Sequence, residues 1–361
     1  MTNLNWRLLL MSMMLQSGWA LAHPPGLSSL DAVIQTNQIQ IKTTFAVQDI
    51  EAFTPMDADL DAEVSDSERE AAKPKIAQLL AEQLSLNLDG NPLQPNQVGK
   101  VSYDDQNNAH VELLYPAVPK QQLVLQSKFL SLLPDGHQQF LVIKGADEKI
   151  IAEKMLTKQD DQISVQLSND GSQTQTSSTF SDFFKLGIEH ILTGYDHLLF
   201  LFALLAVTHK VGPALKIITF FTLAHSITLA AAGLNLLDIP SSIVEPLIAA
   251  TIIYVGIENI IRGDHPKGRH WLTFGFGLIH GFGFAGVLRE MDISSGDTGI
   301  LFPLLSFNLG IETGQICIAA LVLPMIWWLN NKVEIAEKFL KGCSILVSLM
   351  GAYWLLERTL L

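Results

Sequence analysis

Cysteine is almost missing from this 361-residue chain: there are two, Cys317 and Cys343, both within apolar runs. Residues 23–185 contain none, so no disulfide staples that stretch and its own apolar core must hold it together. Charge is scarce as well. Asp, Glu, Lys and Arg make up 16% of the chain, against roughly 25% in an average globular protein. There is no basic excess, the net charge being −13, and so no electrostatic footprint for nucleic acid. No Walker-type phosphate loop occurs, which argues against ATP-driven pumping by this chain alone. What is abundant is apolar residues, 48% of the total, and they are spread unevenly. Residues 23–185 carry 23 acidic and 12 basic residues, and the rest of the chain 13 and 11. One part is polar, acidic and suited to meeting cations; the other is apolar and nearly neutral.

The N-terminus has the pattern of an export signal. Arg7 precedes an apolar run from Leu8 to Leu15, and Ala20-Leu21-Ala22 supplies a small-residue cleavage site. The run is too short to span a bilayer. Cleavage after Ala22 is expected, leaving His23 as the mature N-terminus and placing the following domain outside the cytoplasm.

That domain, residues 23–168, reads as mainly β. Runs of strand-like pattern occur at Gln38–Val47, Leu84–Leu88, Val98–Tyr103, His110–Tyr115, Gln122–Phe129, Gln138–Ile143 and Gln162–Leu167. Turn formers such as Asp89-Gly90-Asn91 and Pro134-Asp135-Gly136 separate them. About seven short strands at this spacing predict a small antiparallel sandwich. One helix, Ser67–Gln83, interrupts the β pattern. Just before it stand Asp57, Asp59, Asp61, Glu63, Ser65 and Glu68. Counted from Asp57, acids or hydroxyls occupy positions 1, 3, 5, 7, 9 and 12, the oxygen-ligand spacing of an EF-hand calcium loop. Ala62 replaces the usual glycine at position 6. The alternative is a solvated acidic approach to a helix N-terminus. A polar, small-residue stretch, 169–182, reads as a linker.

The remainder, 183–361, predicts an all-α polytopic bundle of six spans near 186–208, 213–234, 241–262, 270–289, 300–329 and 342–357. With the exported domain outside, the inner loops carry Lys210, Lys216, Arg262, Lys267, Arg269, Lys332, Lys338 and Lys341, and the outer side Lys185, Arg289 and Arg358. The positive-inside bias agrees with the signal peptide.

These spans hold too many ionisable groups to be mere anchors. Span one has Glu189, His190, Thr193, Asp196 and His197, which share a 120° arc if the helix is continuous. Span two adds His225, with Thr222 and Ser226 beside it; span three adds Glu245, Glu258 and Asn259; span four adds His280 amid glycines; span five adds Asn308, Glu312 and Gln315 at i, i+4, i+7. His190, Asp196, His197, His225, Glu245, His280, Asn308 and Glu312, with Glu189, are the candidate metal-handling residues. Several imidazoles with nearby carboxylates suit a divalent transition metal: nickel, cobalt, zinc or copper. Glu258 and Asn259 lie nearer the inner end and read as a cap or gate. The glycines of span four are expected to let helices approach closely.

His190, Asp196 and His197 form a His-x5-Asp-His motif that resembles the HupE/UreJ family of bacterial membrane proteins. Supporting stretches run from Leu223 to Leu229, from Tyr254 to Asn259 and from Phe307 to Gln315, so the resemblance covers roughly 183–361. It implies a secondary permease associated with nickel uptake for hydrogenase and urease. It also implies a multi-pass protein of the bacterial inner membrane, with the β-rich extension in the periplasm. The metal-handling positions it implies are His190, Asp196 and His197. Smaller nickel permeases carry a second motif, Phe-His-Gly-x-Ala-His-Gly-x-Glu. Here the matching stretch from Ile279 to Gly286 keeps one histidine, His280, and has neither the second nor the glutamate, which leaves the identity of the cation open.

The expected activity is transport of a divalent metal ion across the bilayer. Two other classes stay open. The same ligands would serve an intramembrane metal-dependent hydrolase, or a metal sensor or assembly scaffold whose exported sandwich binds a periplasmic protein partner.

Overall fold

A computed structural model describes residues 26–59, 64–96, 99–104, 107–167, 175–176, 179–208, 210–234, 236–237, 239–263, 268–284, 301–330 and 333–360. The expected signal peptide, His23, Asp61, Glu63 and most of the expected linker lie outside the described residues.

The N-terminal region is built from two sheets. Its elements are β1 (Leu27–Ile34), β2 (Ile39–Ala46), α1 (Val47–Phe53), α2 (Asp66–Gln83), β3 (Leu84–Leu88), β4 (Asn91–Leu93), β5 (Val101–Tyr103), β6 (Asn108–Tyr115), β7 (Gln122–Ser127), β8 (Gln138–Lys144), β9 (Ile150–Thr157), β10 (Gln162–Gln166) and β11 (Gln175–Thr176). One sheet has the order β11-β9-β8-β1-β2-β6-β5 and the other β10-β7-β3-β4. The sandwich is as expected, but it is not wholly antiparallel: β1 pairs parallel with β8, and β11 with β9. Neither β1 nor β9 is among the strands expected from the sequence. Leu27–Ile34 mixes Ser and Asp with apolar residues, and Ile150–Thr157 has the Ala, Glu, Lys, Met and Leu of a helix former. Pairing against β8 on either side overrides both local preferences.

Alternation fills the space between the sheets. Ile39 and Ile41 of β2, Val111 and Leu113 of β6, and Leu141 and Ile143 of β8 meet Leu86, Leu123, Leu125 and Val165 of the smaller sheet. Ile76, Ala77 and Leu80 of α2 join the same core. Strand β8 is buried on both faces. Its other face, Phe140 and Val142, packs with Leu27 and Met155 against Phe183 and Leu186 of the first helix that follows. Its unbroken apolar run is thus explained by two covered faces rather than one.

The helical part comprises α3 (Thr179–Thr193), α4 (Tyr195–Ala206), α5 (Val211–Gly233), α6 (Ser241–Arg262), α7 (Arg269–Gly283), α8 (Leu301–Asn330) and α9 (Val333–Leu360). Four stretches, Val211–Gly233, Ser241–Arg262, Leu301–Trp328 and Lys338–Leu360, are long and apolar enough to cross a membrane. The sixth expected span, the shortest by its apolar run, is part of a 28-residue helix. The first expected span is not one rod: Phe180–Thr193 and Tyr195–Ala206 meet at 73°. This corrects the continuous-helix reading of the 120° arc. The expected close approach of the fourth span is present: a Cβ at Gly281 would collide with Thr228 Oγ1 and the carbonyl of His225, so α7 lies directly on α5.

Candidate metal centre

The bend between α3 and α4 is what assembles the site. Gly194 sits at the corner, and a Cβ there would come within 2.8 Å of His197 Nδ1 and 2.9 Å of the His190 carbonyl. Only glycine lets the chain turn while His190, four residues before, and His197, three after, face one another with ring centroids 4.8 Å apart. His225 comes in from α5, 6.2 Å from His190 and 6.4 Å from His197. One nitrogen from each of these three buried rings lies within 4.8 Å of the others. His280 of α7 stands 5.2 Å from His197, centroid to centroid. All four rings are at least nine-tenths buried.

Their outer partners settle which nitrogen is left over. His197 Nδ1 donates to Asp196 Oδ1 at 2.9 Å, and the same oxygen accepts the His197 backbone N–H at 2.8 Å. That leaves His197 Nε2 with its lone pair. Asn308 donates its amide to the Leu304 carbonyl at 2.8 Å, so its Oδ1 accepts from His225 Nδ1 at 3.4 Å, leaving His225 Nε2. Thr251 uses its hydroxyl proton on the Ile248 carbonyl at 2.6 Å and so accepts from His280 Nε2 at 2.9 Å, leaving His280 Nδ1. Among the described residues neither nitrogen of His190 has a hydrogen-bond partner, and the three left-over nitrogens have none either. Imidazoles held by an outer carboxylate or amide, with a bare lone pair inward, are the arrangement of metal-ligating histidines. A transition-metal ion with bonds to nitrogen of about 2.1 Å is reached by such atoms after small ring rotations.

Aromatic side chains wall the site. Phe284 and Phe307 stack on each other at 4.6 Å, and their centroids lie 4.7 and 5.5 Å from that of His190. Phe221 stands beside His225 and His280, and Phe200 beside His280. Such a shell makes the surroundings of the four rings largely apolar.

Of the residues singled out from the sequence, His190, His197, His225 and His280 come together, with Asp196 and Asn308 as their outer partners. The carboxylates of Glu189, Glu245 and Glu312 do not join the three-imidazole group. Glu189 accepts from Gln138 of the β region at 2.8 Å and pairs with Lys185, because α3 is docked on the sheet and Glu189 is on its sheet side. Glu245 pairs with Arg358 at 3.7 Å. Glu312 accepts from Thr219 Oγ1 at 2.7 Å. Arg358 also reaches Asp196 at 3.6 Å, which makes it the charge partner of the acid that holds His197. Nothing in the sequence distinguishes this arginine, in the last turn of an apolar helix, from one that snorkels to the interface. Thr251, likewise a silent polar residue in a span, is the one that orients His280.

At the other end of the bundle Glu258 and Asn259 form a separate buried knot. Arg269 lies 3.7 Å from Glu258 and donates to Asn259 Oδ1 at 2.9 Å and to the Ala203 carbonyl at 3.2 Å, while Arg262 donates to Glu258 at 3.2 Å. It ties α4, α6 and α7 together. In the acidic loop of the β region, Asp57, Asp59 and Glu68 offer oxygens within 4.8 Å of one another. Glu68 is also the closing residue of a capping box on α2. It accepts from the N–H of Ala58 and of Ser65 and from the Ser65 hydroxyl, and these bonds draw its pKa down to about 2.

The family model for the HupE / UreJ protein matches residues 167–358. No curated protein matches the chain. The match covers more than half of the chain and all of the bundle that carries the histidines: the chain belongs to the HupE/UreJ family. Membership and the apolar helices together make it a membrane protein, and they support a metal transporter as the general class.

Proposed function

On that premise, we propose that the protein carries a divalent transition-metal cation across the bilayer, binding it through His190, His197, His225 and His280. Nickel is the first ion to test, with cobalt, zinc and copper as the alternatives this donor set admits. The observation that carries the reading is the cluster of unpartnered imidazole nitrogens at a helix break: His190, His197 and His225 bring ligand atoms within 4.8 Å of one another, and outer partners hold the second nitrogen of His197, His225 and His280. Broken helices near the middle of a bundle are a recurrent way to build ion sites in secondary transporters. Asp196 orients His197 and contributes the negative charge. A proton taken up as the metal leaves would supply coupling.

The membrane orientation belongs to the same proposal. The N-terminal export pattern and the excess of Lys and Arg in the opposite loops support a bacterial inner-membrane protein whose β region faces the periplasm. There its acidic surface would gather cations above the site, with Asp57, Asp59 and Glu68 as a weak calcium locus.

The test is uptake of radiolabelled nickel, cobalt or zinc by cells with and without the protein. Wild type is expected to raise uptake of at least one ion, and His197→Ala to abolish the increase. Equal uptake with wild type, His197→Ala and no protein overturns the reading.

A further inference from the structure

The imidazole site is not the end of the polar side chains between α5 and α8. Below His225 and Asn308, Thr222 donates to the buried Gln315 Oε1 at 3.0 Å, and at the exposed flank of the α5–α8 contact Thr219 donates to Glu312 Oε1 at 2.7 Å. On α5 the residues 225, 222 and 219 follow at three-residue steps, one face of a helix, and cover about 9 Å. On α8 the residues 308, 312 and 315 follow at steps of four and three, with Gln315 reaching back to Thr222 and Glu312 forward to Thr219. The direction of the row is fixed by what packs at its ends. Leu229 of α5 and Leu304, Phe307 and Ile311 of α8 share a cluster with Leu27, Phe140 and Val142 of the β region. Ala214 and Ile218 of α5 and Ala319 and Leu323 of α8 instead close on Leu201 and Leu205 of α4. The row therefore leads from the imidazoles away from the β region and ends against an apolar cluster.

Its chemistry is that of a path rather than of adhesive alone. Threonine and glutamine suffice to join two helices in a membrane. A carboxylate does not improve that joint, and it is expensive inside a bilayer. Glu312 stands eleven residues into α8, near the middle of the span. The acceptors along the row are oxygens, which hold a transition-metal ion less firmly than imidazole does. An ion stepping off the histidines would meet ligands that stabilise its charge without trapping it.

We propose that the α5–α8 seam, lined by Thr222, Gln315, Thr219 and Glu312, is the release route of the divalent cation toward the membrane face remote from the β region. The cluster of Leu201, Leu205, Ala214, Ile218, Ala319 and Leu323 is its closed end. This rests on the transport reading above. The experiment uses purified full-length protein, with binding of nickel, cobalt and zinc ions in turn measured in detergent and flux of the same ions in proteoliposomes. In Glu312→Gln the bond from Thr219 is retained and only the charge is removed; Gln315→Leu removes one polar station. Both variants are expected to bind within threefold of wild type and to carry the ion at least tenfold more slowly. Wild-type flux in Glu312→Gln assigns the seam to helix packing and overturns the inference, as does a loss of affinity that matches the loss of flux. If wild type binds the ions but moves none of them, the transport reading itself falls and takes the seam with it. Flux in wild type that survives in both variants sinks only the seam.

Discussion

The two regions treat buried polar atoms in opposite ways. Among the described residues of the β region the side-chain atoms left without a partner, Ser29 Oγ, Thr54 Oγ1, Arg69 Nε, Asn108 Oδ1, Tyr115 OH and His137 Nδ1, come one from each of six residues. In the helical part five such atoms belong to four imidazoles of one cluster, and four more to Glu258, Arg269 and Trp327. An isolated orphan is a tolerated cost of packing. A cluster of them, with the other nitrogen of His197, His225 and His280 occupied by an outer partner, is a place kept for something else. The sandwich is stabilised by what it buries, whereas the bundle holds donors in readiness.

This contrast yields unequal responses to substitution. The largest effect on stability is expected in the sandwich: Leu141→Ala opens a cavity between the sheets and destabilises the β region by about 3 kcal/mol, with metal affinity unchanged. Hydrogen exchange on the full chain and metal titration measure the two separately. Next comes the converse case. His197→Ala is expected to lower metal affinity by about 100-fold, roughly 2.7 kcal/mol, without lowering the melting temperature; a parallel loss of stability would make the histidines core residues after all.

The third effect is on pH dependence, and it isolates a buried histidine–carboxylate pair of the sandwich. His137 Nδ1 and Asp49 Oδ2 stand 3.7 Å apart. Burial lowers the His137 pKa to about 4 and raises that of Asp49 to about 6. The unfolded chain binds the histidine proton more readily, so the His137 contribution falls as pH drops from about 6.5 to 4. The folded chain binds the Asp49 proton more readily, so that contribution rises as pH drops from about 6 to 3.8. The two nearly cancel in wild type. In Asp49→Asn only the histidine is left, and stability of the β region is expected to fall by about 2 kcal/mol between pH 6.5 and 4. A flat profile in that variant would show that the pair does not set the balance.

Smaller still is the effect of the outer partner of a ligand. Asp196→Asn keeps the shape but weakens the orientation of His197, and a loss of about tenfold in metal affinity is expected, measured by the same titration; an unchanged affinity would remove Asp196 from the site. Last is the acidic loop. If Asp57, Asp59 and Glu68 hold calcium with a millimolar Kd, 1 mM calcium stabilises the β region by about 0.4 kcal/mol. No shift in its unfolding even at 10 mM would leave Glu68 as a helix cap alone.

Much of this was legible from residue order. The helix Ser67–Gln83 was expected within one residue of α2, because a capping box and a run of helix formers act locally. Four of the six expected spans followed from run length, and the four histidines from the cost of polar groups in oil. Strands β1 and β9 were not legible, because their own residues argue weakly or wrongly and only β8 between them makes them strands. The single arc on span one also misled: the chain breaks between Thr193 and Tyr195, so Asp196 and His197 do not continue the helix of Glu189 and His190, and Glu189 bonds to Gln138.

Residue types and their spacing were enough for a polar β-rich half, an apolar helical half and a set of imidazoles that a bilayer would not keep without reason. These follow from short-range patterns and from the price of solvation. The three-dimensional arrangement decided the rest: that the chain breaks at Gly194, that Arg358 answers Asp196 from 162 positions away, and that Asn308 and Thr251 leave the inward lone pairs on His225 and His280. A hydrogen bond selects a tautomer only when its partner arrives from another helix, and no local run of residues specifies which partner that will be.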